Sequence, residues 1–291
     1  MPCDKLTLLS KRIRKRLLRE AEKTGKPRWG YKNYLDLRTT KHNLPIHLYC
    51  NGRRNGIHKI EFIDVSRLGL SRTRAIARLI LPPHARPTIT RIDWCVDLPD
   101  VPLSDVAASC LAARAQNCAY YHSRNGSSFY PQRSSQRSLL IYEKLRRARV
   151  RHEPFAEMFP NSSDVTRIEI QLRSRGVPIR SFERISEYAD LDLLANVSFA
   201  CFVIPPGLAA IERLAAQALK TCAGEVGLQR LSKNFSRSEW AKILSTFLRR
   251  TPSNGLPDIH ALFQKSKRDW LESRIRFPRL LSIMERIKER D

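Results

Sequence analysis

The chain has 291 residues and carries 53 lysines and arginines against 28 aspartates and glutamates, a formal net charge of +25. Apolar residues make up 42%, enough to fill a core, so disorder throughout is excluded. No uninterrupted apolar run reaches the ~18 residues of a membrane span, and the basic stretch from Lys11 adjoins no apolar segment of the secretory kind.

In chain order, residues 4–9 (Asp-Lys-Leu-Thr-Leu-Leu) read as a strand, and Ser10 is placed to cap a basic helix that runs to Glu22 before Gly25 and Pro27. Residues 46–51 and 57–63 are rich in β-branched and aromatic side chains around Gly-Arg-Arg-Asn-Gly, which predicts a hairpin with a basic tip at Arg53 and Arg54. Ser71 is expected to cap a helix to Leu81, closed by Pro82, Pro83 and Pro87. A strand over 89–98 follows, then a helix from Asp100 or Ser104 to Asn117. Short strands are expected around Phe129-Tyr130 and over 137–145, separated by a turn at Ser134 to Gln136. A strand over 165–174 and a helix over 182–194 complete this region. Beyond Pro205-Pro206 the stretches 208–222, 236–250 and 258–290 all show helical spacing. The fold class is therefore α+β, with a mixed domain over 1–203 and a helical domain over 204–291.

Arginine supplies 38 of the 53 cations, and its planar fork suits bidentate contact with phosphate. Basic residues concentrate at Lys11 to Arg19, including Arg14 and Lys15, at Arg146 to Arg151, including Arg147, and at Lys265 to Arg290. A charge excess of this size points to a polyanionic partner, and nucleic acid is the leading expectation. The seven cysteines are irregularly spaced with no Cys-x-x-Cys. That fits a reducing cytoplasm rather than a disulfide framework or a zinc site.

Three strands alternate apolar with charged or phenolic residues. Arg91, Asp93, Cys95 and Asp97 share one face of 90–97. Leu140, Tyr142 and Lys144 share one face of 139–144, and Arg167, Glu169, Gln171 and Arg173 one face of 166–173. If the strands are neighbours, carboxylates, a phenol and a lysine meet on one surface. Carboxylates holding Mg2+ or Mn2+, an attacking tyrosine and a charge-stabilising lysine would cleave a phosphodiester. The alternative is a half-exposed sheet on which Arg91–Asp93 and Arg167–Glu169 simply pair.

Thr-Arg-Ile-Asp-Trp (90–94), Arg-Ser-Leu-Leu-Ile-Tyr-Glu-Lys (137–144) and Thr-Arg-Ile-Glu-Ile-Gln-Leu-Arg-Ser-Arg-Gly-Val-Pro (166–178) resemble, in order, the landmarks of rolling-circle replication initiators. These are the replication proteins of filamentous phages and small plasmids. The likeness spans 1–185 and does not reach the helical tail. It implies an antiparallel-sheet initiator domain with flanking helices that nicks and rejoins origin DNA, single-stranded or cruciform, through a phosphotyrosyl intermediate. By position it makes Tyr142 the nucleophile and Lys144 its companion, with Asp93 and Glu169 as metal ligands and Asp97 a weaker candidate. Tyr130, just after a glycine turn, is the rival nucleophile. The wider group binds metal through a His-x-His pair, and none of the seven histidines forms one. Arg14, Lys15, Arg53, Arg54, Arg146, Arg147, Arg167 and Arg173 are the expected DNA contacts. Host helicase and polymerase are the implied partners, no membrane is involved, and self-association is left open. Two other readings stand beside this one: a non-catalytic nucleic-acid-binding protein, and a metal-dependent nuclease that uses water.

Overall fold

The computed structural model describes residues 3–24, 28–38, 44–52, 55–112, 119–123, 126–150, 154–249 and 256–273. The elements are β1 (Cys3–Ser10), α1 (Lys15–Thr24), β2 (Tyr31–Arg38), β3 (Pro45–Gly52), β4 (His58–Ile63), α2 (Gly69–Ile80) and β5 (Thr88–Pro99). Next come α3 (Leu103–Ser109), β6 (Cys110–Ala112), β7 (Ala119–Tyr121), β8 (Ser128–Arg133), β9 (Arg137–Glu143), α4 (Lys144–Val150) and β10 (Val165–Arg173). The remainder holds β11 (Val197–Phe199), β12 (Cys201–Phe202), α5 (Ala210–Val226), α6 (Leu228–Leu231), α7 (Arg237–Phe247), β13 (Leu248–Arg249) and α8 (Ile259–Glu272). The α+β class holds. The main strand order is β2-β3-β4-β1-β5-β10-β9-β8-β7, and the strand pairs with described registers are antiparallel.

The chain divides into two compact units. The first comprises Met1–Trp94, Leu172–Leu191 and Lys265–Asp291, and the second Cys95–Gln171 and Asp192–Gln264. Residue 203, the expected boundary, lies inside the last segment of the second unit.

In the first unit, period-two alternation buries Leu6 and Leu8 of β1, Ile46 and Leu48 of β3, Ile60 and Phe62 of β4, and Ile92 and Trp94 of β5. Helix α2 contributes Leu70, Ile76, Ala77 and Ile80, the i, i+3, i+4 spacing of a single apolar stripe. Trp94 packs edge-on against Trp270 with ring centroids 5.4 Å apart, and Trp270 Nε1 donates to the Val65 carbonyl at 2.9 Å. Ser71 is not the cap of α2: it lies inside the helix, and Ser273 Oγ accepts the Leu70 N–H at 3.1 Å. A donor left over at the first helical turn is thus met by a side chain about two hundred residues away. Gly69 precedes it with φ +68°, and a Cβ there would strike Ser273. Ser10 likewise caps no helix; it bonds the Arg12 backbone, and α1 begins at Lys15.

In the second unit, Leu139 and Ile141 of β9, Ile168 and Ile170 of β10 and Phe129 of β8 are buried. Helices α3, α5 and α6 close around Ala108, Ala223, Leu228 and Leu231, with Trp240 of α7 packed against them. Three expectations change here. The helix expected to reach Asn117 stops at Ser109, because Cys110 turns extended and β6 pairs with β11; residues 113–118 lie outside the described residues. The expected helix over 182–194, which belongs mainly to the first unit, is a 3-10 segment at Ile185–Asp190 whose buried residues, Ile185 and Tyr188, repeat every three positions. The strand expected to reach Leu145 ends at Glu143, and α4 starts at Lys144 with Leu145 and Ala148 buried three apart.

Candidate active site

Asp97 of β5 is buried beneath Arg167 of β10, whose Nε donates to Oδ1 at 2.6 Å and Nη2 to Oδ2 at 2.9 Å. Arg167 has no exposed surface, and the Phe155 ring lies 5.1 Å from its guanidinium carbon. Burial pushes the Asp97 carboxyl up, but the net effect, in which the charge and hydrogen bonds of Arg167 are the largest lowering influences, holds it below the usual carboxylate range. Arg167, expected to contact DNA, is therefore an internal counter-ion with nothing to offer a phosphate. It pairs with Asp97 rather than Glu169.

In the first unit, Asp93 accepts both donors of Arg91 two residues back on the same strand, at 2.9 and 2.5 Å. Burial is the largest influence on Asp93. It raises the carboxyl above its ordinary value despite Arg91, and nearby Asp4 adds to the rise.

Tyr142 is 4% exposed. Its hydroxyl donates to Glu169 Oε2 at 3.1 Å, Gln171 Nε2 donates to Glu169 Oε1 at 2.6 Å, and the Arg147 guanidinium lies 4.7 Å from the Tyr142 ring. Lys144 does not share a strand face with Tyr142, because the backbone turns helical there; its Nζ sits 5.0 Å from the centre of the Phe155 ring.

Tyr130 is less buried than Tyr142, and Tyr121 beside it is exposed. Tyr130 is half-buried on β8, opposite Ala119, and the β8–β9 register shifts between Phe129 and Gln132. Pro131, inside the shift, has no N–H to give a ladder, and such irregularities re-aim the neighbouring side chain. Tyr121 packs at 89° to the Tyr130 ring with centroids 5.6 Å apart. The Arg133 guanidinium stands 5.3 Å from the Tyr130 ring and donates to Tyr121 Oη at 2.8 Å. The turn before β8 is pinned: the Ser127 N–H donates to Glu143, and Gly126, at φ +105°, leaves room for that carboxylate. Tyr121 lies opposite Ser128, which lies opposite Tyr142. Strand alternation therefore puts Tyr121, Tyr130 and Tyr142 on one face, the face of Glu169.

Among the described residues, no group of three or more His, Cys, Asp or Glu side chains is arranged to hold a metal ion. Asp97 already accepts both prongs of Arg167, and both oxygens of Glu169 are engaged by Tyr142 and Gln171. A Mg2+ or Mn2+ ion does not fit these carboxylates as they stand.

The other expected DNA contacts are dispersed. Lys15 is exposed on α1, while Arg14 is exposed but gives its guanidinium to the Arg78 carbonyl at 3.0 Å. Arg146 is exposed with Glu143 3.9 Å away, and Arg173 is half-buried, near enough to Asp93 to favour its ionised form. Arg53 and Arg54 lie outside the described residues. Residue patterning missed Arg133; its place between Tyr130 and the Ser134–Ser135 turn was the available signal. No helix among the described residues is long and apolar enough to cross a membrane. No protein-family model matches the chain, and no curated protein matches it.

Proposed function

We propose that the protein is a DNA nickase and ligase of the replication-initiator type, with Tyr130 as its nucleophile. The observation that carries this is the contrast between two of the three tyrosines on one face of the second unit: Tyr142 is buried and committed to Glu169, whereas Tyr130 sits at a strand irregularity beside Arg133. A strand nucleophile has to be reached by a phosphodiester, and burial removes Tyr142 from that role. In the nicking step Tyr130 Oη forms a bond to phosphorus as the bond to the 3′ oxygen breaks. The phenol proton ends on the departing 3′ hydroxyl, and Arg133 offsets charge developing on the phosphoryl oxygens. Rejoining is the reverse displacement. Tyr142, Glu169 and Gln171 hold the neighbouring strands in register. Origin DNA, and host helicase and polymerase recruited to the primed end, are the partners on this reading.

The test is incubation of the protein with supercoiled plasmid carrying its origin in Mn2+ buffer, scored for open circles and a covalent protein–DNA adduct. Tyr130→Phe is expected to abolish the adduct, and Tyr142→Phe to retain it. An adduct formed by Tyr130→Phe at the wild-type rate overturns the assignment. A second reading, nucleic-acid binding without chemistry, is favoured by the internal bonding of Asp97, Glu169 and Arg167. It predicts salt-sensitive binding and no adduct from the wild type.

A further inference from the structure

Several cations on the sheet have carboxylates: Arg91 has Asp93, Arg167 has Asp97, and Lys5 and Lys59 share Glu61 at 3.4 and 3.0 Å. A cleft of about 460 Å³ in the first unit breaks this pattern. Lys11, Arg12, Arg86 and Arg180 line it together with Ser10, His84, Thr88 and Thr90, and its lining includes no carboxylate. All four cations are exposed. The volume lies within the ~300–1,000 Å³ of ordinary ligand sites.

The walls are fixed by backbone bonds. Ile89 N–H donates to the Arg180 carbonyl at 2.7 Å, and Thr88 bridges Ser181. Arg14 N–H donates to the Ile80 carbonyl at 2.9 Å, and the Ala85 N–H to the Pro82 carbonyl at 3.0 Å, within the loop that carries Arg86. Ser10 Oγ donates to the Arg12 carbonyl at 2.7 Å. Three separate loops thus present four like charges to one space. Folding them together costs repulsion that a bound anion would relieve. The lining holds no Phe, Tyr or Trp, and its one aromatic ring is the imidazole of His84, set among four cations. Its chemistry is that of phosphate.

We propose that this cleft is a sequence-independent seat for consecutive phosphates of a DNA strand. The choice of DNA as ligand rests on the function proposed above; the cleft's affinity for phosphodiester does not depend on the nicking step. The experiment is fluorescence anisotropy with a labelled oligothymidylate 20-mer, titrated at several salt concentrations. Variants are Arg86→Gln/Arg180→Gln and a control of equal charge change, Arg230→Gln/Arg237→Gln, on exposed helical positions. Folding of each is confirmed by thermal melting.

A slope of about −0.7 per phosphate contact on a single strand corresponds to about fivefold in affinity per contact at 0.1 M salt. The cleft variant is therefore expected to bind about 25-fold more weakly, with a slope shallower by about 1.4, and the control within about twofold of wild type. Equal weakening in both variants, or none in the cleft variant, overturns the site. The plasmid assay separates the two ideas. Cleft-dependent binding without any adduct upholds the cleft and sinks the nickase. An adduct together with cleft-independent binding does the reverse.

Discussion

The two units each hold an arginine fork on an aspartate of β5, and the forks are close to equal in length: 2.9 and 2.5 Å for Arg91 on Asp93, 2.6 and 2.9 Å for Arg167 on Asp97. Their electrostatic outcomes are opposite. The Asp93 carboxyl is raised and the Asp97 carboxyl is lowered. Both carboxylates are buried, so burial alone does not separate them. Part of what differs is the company: the Arg91 side chain is 28% exposed and Asp4 adds a like charge near Asp93, whereas the Arg167 side chain is 0% exposed. A fork is therefore a poor guide to electrostatic gain until the solvent contact of the cation and the nearby like charges are known.

The largest expected effect breaks the second pair. Asp97→Asn leaves Arg167 charged and buried without its counter-ion, and is expected to cost about 3–5 kcal/mol in urea unfolding. Asp93→Asn is expected to change stability by less than about 1 kcal/mol, since Arg91 reaches water and the neutral amide escapes the burial penalty. Equal losses in the two variants would refute the distinction.

Acid titration sharpens it further. The Asp97 contribution is fully present above the unfolded carboxyl value of about 3.9 and is lost as pH falls through its lower folded value. Asp93 runs the other way: its ionised form weighs against folding at neutral pH, and protonation relieves that as pH falls through the raised value. Urea midpoints measured from pH 7 down to 3 are thus expected to diverge between Asp93→Asn and wild type chiefly above pH 4. The smallest effect comes from His58, whose Nδ1 accepts the Asn51 N–H at 3.3 Å and whose burial lowers its pKa. Its share of stability is present above the unfolded value of about 6.5 and falls as pH drops below it. His58→Gln is expected to flatten the midpoint between pH 7 and 5.5.

Elements with one buried face were legible in the residues. The alternation in Leu-Thr-Leu-Leu of β1, the β3–β4 hairpin, and the polar–apolar rhythm of β5 and β10 survive because a half-buried strand enforces it. Strand β2 escaped notice: every one of its residues is partly or fully exposed, so Tyr-Lys-Asn-Tyr-Leu-Asp-Leu-Arg shows no clean alternation. Lys144 was misplaced because no Gly or Pro marks the passage from β9 into α4, though Leu145 and Ala148 carried the helical spacing. The site was legible as a set of polar strand faces but not in its pairing. That Arg167 would choose Asp97 over Glu169, and that Pro131 would disturb the register beside Tyr130, depend on strand neighbours and bulges that local sequence does not encode.

Trp94 and Val65 receive Trp270, and the start of α2 receives Ser273. During synthesis residues 3–94 would leave the ribosome with this face bare, and the segment that covers it would emerge well over a hundred residues later. The unit's folding then waits on contacts of high sequence separation. Truncation ahead of Lys265 is expected to uncover the indole of Trp94 and leave the N-terminal half prone to aggregate, however complete its own strands are.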